Sequence, residues 1–308
     1  MIRTGLVATL AVVSFVGCGG VAVPVAGHND PAAWIAGEPD AWASLDLRGL
    51  REDPSYAPTM QCPLVVASTM DSSPGFLGAL AALPCKDELK AAEHVDVWFR
   101  HEEQQPPSSL LVFRAADAAA ACLEAGATRT ALSPTVTESV RTGTRWARSY
   151  VVRGAHGTSV LIPNGAAYAR TRDALAAGID PPVSDALPKG IVARVGTNGD
   201  PFRLLETKMP GTAVLDLRGL NRTELTVDTT PGQVAASLRM RFNFPADADR
   251  LQPVVSRMGE ELRLRGQSVE VGRTDSWSFL VRYRAAAASV LPACVASPAP
   301  VAPAPAAK

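Results

Sequence analysis

The hydrophobic pattern of the chain is clearest in two stretches, Leu238–Phe244 and Trp277–Tyr283. Apolar side chains occupy every second position of both stretches, and mostly polar side chains lie between them. A period of two predicts antiparallel strands that bury one face and leave the other in water.

Between these stretches the pattern changes to helical spacing, and Gly266 then ends the run. We expect this helix to cover the apolar face of the strands, which gives a two-layer sandwich. Its apolar residues are Leu251, Val254, Val255, Met258 and Leu262.

An internal duplication organises the rest of the chain. Residues 29–50 and 199–220 align without a gap at a constant offset of 170, with nine identities in 22 positions. Both segments end in the sequence LDLRGL, at 45–50 and 215–220. A match of this extent indicates a duplicated structural unit.

Each copy predicts the same local structure. An aspartate, Asp30 in the first copy, is suited to cap a short helix whose first position holds proline. The LDLR segment then predicts a strand with Leu45 and Leu47 on one face and Asp46 and Arg48 on the other. The glycine that follows predicts a turn.

These patterns predict an α+β fold of two duplicated units, each an antiparallel sheet covered by helices on one face. Repeat 1 spans 29–188 and contains an insertion near 51–90, whereas repeat 2 spans 189–294. The Ala- and Pro-rich segment 295–308 has no core-forming pattern, and we expect it to be disordered.

The N-terminal segment has the composition of an export signal. Arg3 supplies a positive charge, and Gly5–Phe15 form an apolar run that is too short to span a bilayer. The run ends in the tetrapeptide Phe15-Val16-Gly17-Cys18, which resembles the lipobox of bacterial lipoproteins.

The resemblance to bacterial lipoproteins implies that residues 1–17 are a signal peptide and that Cys18 is lipidated with acyl chains such as palmitate. Residues 18–28 would then tether the body to the membrane. Because Gly19 is not the retention-type aspartate, the resemblance favours the outer membrane, on its periplasmic side or at the surface. The body also resembles uncharacterised two-repeat envelope lipoproteins of GC-rich Gram-negative bacteria, a group without a known activity.

The cysteine count agrees with this interpretation. With Cys18 lipidated, an even number of cysteines remains for an oxidising compartment. These four, Cys62, Cys85, Cys122 and Cys294, are disulfide candidates that allow three connectivities. Of the three, Cys62–Cys85 with Cys122–Cys294 is preferred.

The charge balance limits the classes of partner. The chain has 30 basic and 30 acidic residues, and 47% of it is hydrophobic. A balanced chain of this kind argues against nucleic acid as a partner and against electrostatic adsorption to a membrane. The predicted membrane contact is therefore the lipid anchor.

The chain contains no motif of the common catalytic classes. It has no G-x-S-x-G, no phosphate-binding glycine loop and no H-E-x-x-H. Potential metal ligands gather only at 94–103, where His94 and Asp96 share a strand face but His101 has the opposite parity. We therefore predict no metal and no cofactor.

Two aspartates are singled out by the duplication, Asp46 and Asp216. If the two copies face each other, these carboxyl groups could share a proton as a catalytic dyad. A contact with Arg48 or Arg218 two residues later, or a turn contact, is the favoured interpretation. No residue is therefore assigned a catalytic role.

A candidate binding face lies on the polar side of the C-terminal strands. Guanidinium groups there would suit an anionic glycan, a lipid or an acidic protein, and a merely solvated sheet face is the alternative. The arginines are Arg239, Arg241, Arg282 and Arg284.

The leading hypothesis is a membrane-anchored envelope lipoprotein with a non-enzymatic binding or scaffolding role and an envelope protein or glycan as partner. Two alternatives remain open. One is an envelope polymer hydrolase with unidentified carboxylates, and the other is a small-ligand receptor with a cleft between the repeats.

Overall fold

The structure, a computed structural model, describes residues 30–60, 84–100, 108–142, 148–198 and 219–287, except residues 36 and 156. Strands β1 to β12 follow in chain order: Ala41–Asp46, His94–Arg100, Ser108–Arg114, Thr128–Ser133, Val136–Val140, Arg148–Gly154, Gly157–Asn164, Ile191–Asn198, Leu220–Thr230, Gln233–Phe242, Ser268–Asp275 and Ser278–Ala286. Helices α1 to α7 are Pro31–Trp34, Leu47–Glu52, Ala57–Met60, Lys86–Lys90, Asp117–Glu124, Ala167–Ala176 and Pro245–Leu264. The predicted α+β class is confirmed.

All the strands form one antiparallel sheet in the order β11-β12-β10-β9-β8-β1-β2-β3-β7-β6-β5-β4. We call β1–β7 the N-terminal half and β8–β12 the C-terminal half; they meet where β1 pairs with β8. Both halves have the same topology. Three consecutive strands run outward from the seam, and a helix and further strands follow in the chain. The last strand pairs with the third: β7 with β3 in the N-terminal half, and β12 with β10 in the C-terminal half.

The two faces of the sheet carry different side chains. Face A carries Trp42 and Ser44 of β1, and face B carries Ala41 and Ala43, because successive residues of a strand point to opposite faces. The cross-strand register extends these faces over the whole sheet, since directly paired residues lie on the same face.

Helices cover face B in both halves and face A in one. On face B, α2 and α5 pack on the central strands, and α7 packs on the outer strands of the C-terminal half. On face A, Trp34 of α1 and Ala167 and Leu175 of α6 pack with Trp42 and Trp98. Helices therefore lie on both faces of the N-terminal half, where the sequence predicted one.

The first copy of the duplicated sequence folds only partly as predicted. The Asp30 side chain accepts from the Ala32 N–H and caps α1, whose first residue is Pro31, which confirms that cap. The strand prediction for Leu45–Arg48 is wrong after Asp46, because Asp46 Oδ1 accepts from the Gly49 N–H at 2.8 Å and starts α2.

Helix α7 lies where the sequence predicted it, and Gly266 with φ +78° follows its end. Its buried stripe differs in part from the prediction. Leu251 is buried, but Val254 and Met258 are 40% and 46% exposed. Ala248 and Gly259 are buried instead, and at Gly259 an added Cβ would lie 3.2 Å from Val271 of β11, so the close contact there favours glycine.

The disulfide preference is wrong. Cys85 bonds to Cys122, which joins the start of α4 to α5, so Cys85 cannot pair with Cys62. Cys62 and Cys294 lie outside the described residues.

Other predicted features also lie outside the described residues: the signal peptide, Cys18, the tether, most of the insertion, Asp216 and the C-terminal tail. Within the described ranges, no helix combines the length and hydropathy needed to cross a bilayer.

Candidate functional site

The four predicted arginines share face A of the C-terminal half. Arg239 and Arg241 alternate along β10, and the register pairs Arg282 with Ser237 and Arg284 with Ala235, which have the same parity. All four arginines are exposed. The predicted common face is thus present.

Neighbouring strands add residues that the sequence analysis missed. Arg222 pairs with Arg241 across β9 and β10, and Glu224 pairs with Arg239. Arg194 of β8 lies on the same face, because it pairs with Thr226. The signal was present in the sequence: along 222–228, polar residues at every second position alternate with Thr223, Leu225 and Val227.

A cleft of about 400 Å³ opens on this face. Its lining is polar, with basic, acidic and hydroxyl side chains from four strands. The lining residues are Arg222, Glu224, Arg239, Arg241, Thr274, Asp275 and Ser278. Arg282 and Arg284 do not line it. The cleft lies within the C-terminal half, so it differs from the predicted receptor cleft between the repeats.

Two irregularities of the strands shape the cleft. The β9–β10 register shifts between Arg241 and Phe242, and the β11–β12 register shifts between Arg273 and Asp275. Such bulges turn a side chain away from the regular sheet direction and recur beside binding sites. Each shift occurs next to one lining residue, Arg241 or Asp275.

The cations of the cleft are unequally neutralised. Arg194 Nε donates to Glu224 Oε1 at 2.8 Å, and Arg222 NH2 lies 3.7 Å from Glu224 Oε2. Arg239 and Arg241 form no ion pair with any residue that the structure describes. These two guanidinium groups are therefore the ones that a bound anion would meet.

A different polar cluster lies on face A of the N-terminal half. Asp96 is fully buried, and its Oδ1 accepts from Ser44 Oγ at 2.8 Å. His94 Nε2 lies 3.1 Å from the same oxygen, and Arg114 NH2 lies 3.1 Å from Oδ2. The Ser184 N–H also donates to Oδ2, at 3.4 Å. Donors on four sides thus compensate the buried carboxylate.

This cluster contains the residue types of a catalytic triad but not its arrangement. His94 Nε2 lies 2.9 Å from Ser44 Oγ as well as 3.1 Å from Asp96 Oδ1. The single hydroxyl proton of Ser44 is donated to Asp96, so it is not available to His94. The Nε2 atom of His94 therefore acts as a donor here and does not accept the Ser44 proton. In a triad the aspartate instead holds the other ring nitrogen. The cluster therefore has a structural role.

The electrostatics of Asp96 agree with that role. Burial raises the pKa of this carboxyl, but the hydrogen bond and charge of His94, the charge of Arg114 and the Ser44 hydrogen bond together outweigh burial. The pKa of Asp96 is therefore held below its ordinary value, and the charged form is the stable one in the fold.

Among the described residues, the remaining candidates form neither a metal site nor a carboxylate dyad. Asp46 is occupied as the cap of α2, which confirms the turn contact, while Arg48 contacts Glu52 and Glu93 instead of Asp46. Cys85, Glu88 and Cys122 have ligand spacing, but both sulfurs belong to the disulfide and are not thiolates. His101 lies outside the described residues.

Comparison with known proteins gives no family. No family model matches the sequence, and no curated protein matches it. Among solved structures, crystal forms IV, III and I of TP0453 are similar, with TM-scores of 0.49, 0.47 and 0.45 and sequence identities of 11%, 12% and 12%. The matches cover 84%, 84% and 86% of this chain and 94%, 94% and 95% of the other.

Proposed function

We propose that the protein is a membrane-anchored lipoprotein of the bacterial cell envelope with a non-enzymatic binding role. Its lipid is attached to Cys18, and its ligand contacts the arginine patch on face A of the C-terminal half. We define this patch as Arg194, Arg222, Arg239, Arg241, Arg282 and Arg284.

The observation that carries the binding role is the pair Arg239 and Arg241. Both are exposed beside a cleft, and neither forms an ion pair with a described residue. Arginine presents a planar fork of N–H donors that matches carboxylate and phosphate oxygens, so two such forks at one cleft, without an ion pair among the described residues, favour an anionic ligand.

The envelope location rests on the sequence. The Phe15–Cys18 tetrapeptide resembles a lipobox, and the apolar run before it has signal-peptide length. The Cys85–Cys122 disulfide is in keeping with export, because disulfides persist in oxidising compartments and are rare in the cytosol. The outer membrane is the proposed site.

The duplicated units are part of the proposal. The halves repeat the order of three strands, a helix and a returning strand, and the LDLRGL sequence recurs between the beginnings of the first and second strands of each series, at 45–50 and 215–220. We infer that one ancestral unit was copied, and that only the C-terminal copy kept face A for a ligand.

The anchor is tested with Cys18→Ala in cells labelled with a palmitate analogue. We expect wild-type protein to be labelled and to sediment with membranes, and the variant to lose both properties while its isolated body unfolds at the same urea concentration. Cys122→Ala serves as the matched cysteine control, because it removes a disulfide sulfur but should keep the label. Labelling of the Cys18→Ala protein contradicts the anchor.

The binding role is tested by crosslinking in living cells. A photoreactive amino acid replaces Arg282 in one strain and Glu261, on the exposed side of α7, in another. We expect a reproducible adduct from position 282 and none from position 261. Equal adducts from both positions, or none from either, would contradict a binding role for the arginine patch.

A further inference from the structure

We propose that the cleft beside Arg239 and Arg241 binds a sugar phosphate, either free or as the headgroup of a glycolipid. This inference deepens the proposed binding role and rests on it. It assigns the ligand class from the cleft lining, which contains two kinds of group with different chemical requirements.

The first kind is cationic. Three arginines line the cleft, and Glu224 neutralises only Arg222 among them. Arg239 and Arg241 stand two residues apart on one face of β10, about 7 Å along the strand. That spacing lets both forks reach the oxygens of one phosphate group, which has oxygens for more than one bidentate contact.

The arrangement of the arginines also costs stability. Arg222 and Arg241 are directly opposite each other on β9 and β10, and like charges in that position repel. The next register pair differs, because Arg239 lies opposite the acidic Glu224 and no like charges meet there, although the two form no ion pair. A repulsive pair of arginines beside a cleft lowers stability when the cleft is empty, and a bound anion would offset the repulsion. Binding sites retain such local losses of stability for this reason.

The second kind of lining group argues against a bare anion. Glu224 and Asp275 are acidic and would repel a bare phosphate, and this repulsion is weaker for Glu224 because Arg194 and Arg222 partly neutralise it. One oxygen of Asp275 accepts from the Trp277 N–H at 2.7 Å, which leaves the other oxygen for a ligand hydroxyl. Thr274 and Ser278 add hydroxyl groups that both donate and accept.

A phosphate on a polyhydroxylated ring satisfies both requirements at once. Its phosphoryl oxygens accept from the arginines, and its ring hydroxyls donate to the carboxylates. The volume of about 400 Å³ lies within the range of small-molecule sites and accommodates one sugar ring with its phosphate.

The test is titration calorimetry on the full lipidated chain in detergent micelles, with glucose 1-phosphate, inorganic phosphate and glucose as separate probes. We expect glucose 1-phosphate to bind at least about tenfold more tightly than either of the other probes, because only it uses both sets of groups. Equal affinity for inorganic phosphate would overturn the sugar assignment. If no soluble probe gives heat, a free sugar phosphate is ruled out as the ligand.

Charge-matched variants localise the binding. Arg241→Gln should weaken glucose 1-phosphate binding by about tenfold or more, and Glu224→Gln should weaken it less. Arg257→Gln is the control, because it removes the same charge from an exposed position of α7, outside both the cleft and the arginine patch. Equal losses in Arg241→Gln and Arg257→Gln would show a diffuse charge effect and overturn the site.

Thermal unfolding shows whether a variant loses binding because it no longer folds or because its binding site has changed. Without ligand, Arg241→Gln should unfold at the same or a slightly higher temperature, because it removes the repulsion with Arg222. With glucose 1-phosphate, only the wild-type melting temperature should rise. A lower melting temperature for the free Arg241→Gln protein would contradict the repulsive pair, and Arg239→Gln then provides the second cleft variant.

The two sources of the ligand are separated with phosphatidylcholine vesicles that carry a synthetic alkyl glucose phosphate. Binding of the detergent-free Cys18→Ala chain to these vesicles, lost in Arg241→Gln, supports a glycolipid headgroup, whereas binding of the soluble probe alone supports a free sugar phosphate. Binding of neither overturns the inference. The palmitate and crosslinking results stand separately, so failure here leaves the proposed function intact if those succeed.

Discussion

Face A has opposite environments in the two halves of the sheet. In the N-terminal half, α1 and α6 cover it, and Trp42 and Trp98 are buried beneath them. In the C-terminal half, none of the described helices packs on it, and Arg239 and Arg241 are exposed. The same sheet surface is thus core at one end and a candidate binding site at the other.

The difference shows what a charged residue costs in each setting. Asp96 on the N-terminal half is fully buried, so hydrogen bonds from Ser44, His94 and Ser184 and the ion pair with Arg114 must replace the water that its charge has lost. Arg239 needs none, because it is exposed and water solvates its charge. A charge on the covered half is therefore committed to the fold, whereas a charge on the open half is available for recognition.

The largest expected effect comes from the covered half. Asp96→Asn removes the charge that the buried network surrounds, and it should lower the free energy of unfolding by about 3 kcal/mol, since Arg114 is left without its partner. Urea unfolding followed by circular dichroism measures the change. The matched control is Glu270→Gln on the open half, where Glu270 and Arg282 are both exposed and little should change.

The pH dependence sharpens the same prediction. Because the pKa of Asp96 is lower in the folded than in the unfolded state, its contribution is present above the unfolded value of about 3.9 and is lost as the pH falls through the folded value. Wild-type stability should thus decline below about pH 4 more steeply than that of Asp96→Asn. Parallel pH curves for the two proteins would contradict this account.

The next effect concerns the seam between the halves. A Cβ added at Gly196 would overlap the Trp42 ring, so Gly196→Ala should cost about 2 kcal/mol through displacement of that ring. Thermal unfolding measures it. Gly272→Ala is the control in the same sheet, because its Cβ would meet no atom within 4 Å. Equal melting temperatures for the two variants would show that the seam tolerates movement of Trp42.

The smallest effect separates the cap from the predicted strand contact. Asp46→Ala removes the acceptor of the Gly49 N–H and should cost about 1 kcal/mol. Arg48→Ala should cost less, because Arg48 pairs only with exposed Glu52 and Glu93. If the two substitutions cost the same in urea unfolding, Asp46 acts through charge and not as a cap.

Elements with a long, regular pattern were predictable. The period of two in Leu238–Phe242 and in the strand after Trp277 gave β10 and β12, and the helical spacing between them gave α7. The arginine positions followed from the same period, because alternation places polar residues of a strand on one face. The residues that the alternation along 222–228 would have added, Arg222 and Glu224, were missed only because β9 was not read as a strand.

Short segments were less predictable. The LDLRGL sequence was expected to fold in the same way twice, yet Gly49 lies in helix α2, whereas Gly219 has φ +82° just before β9. Six residues carry too little local preference to fix one structure, and the surrounding contacts decide it. Asp46 finds the Gly49 N–H, whereas Gly219 lies against the carboxyl group of Asp247.

The sequence by itself determined the α+β class, the alternating strands of the C-terminal half, the helix between them and the arginines along their polar side, because these depend on the periodicity of neighbouring residues. Only the tertiary structure decided which face of the sheet is covered, that Cys85 bonds to Cys122, and that Ser44, His94 and Asp96 meet in a buried network. Those contacts join residues 37 to 52 positions apart, and no local pattern specifies the strand order that brings them together.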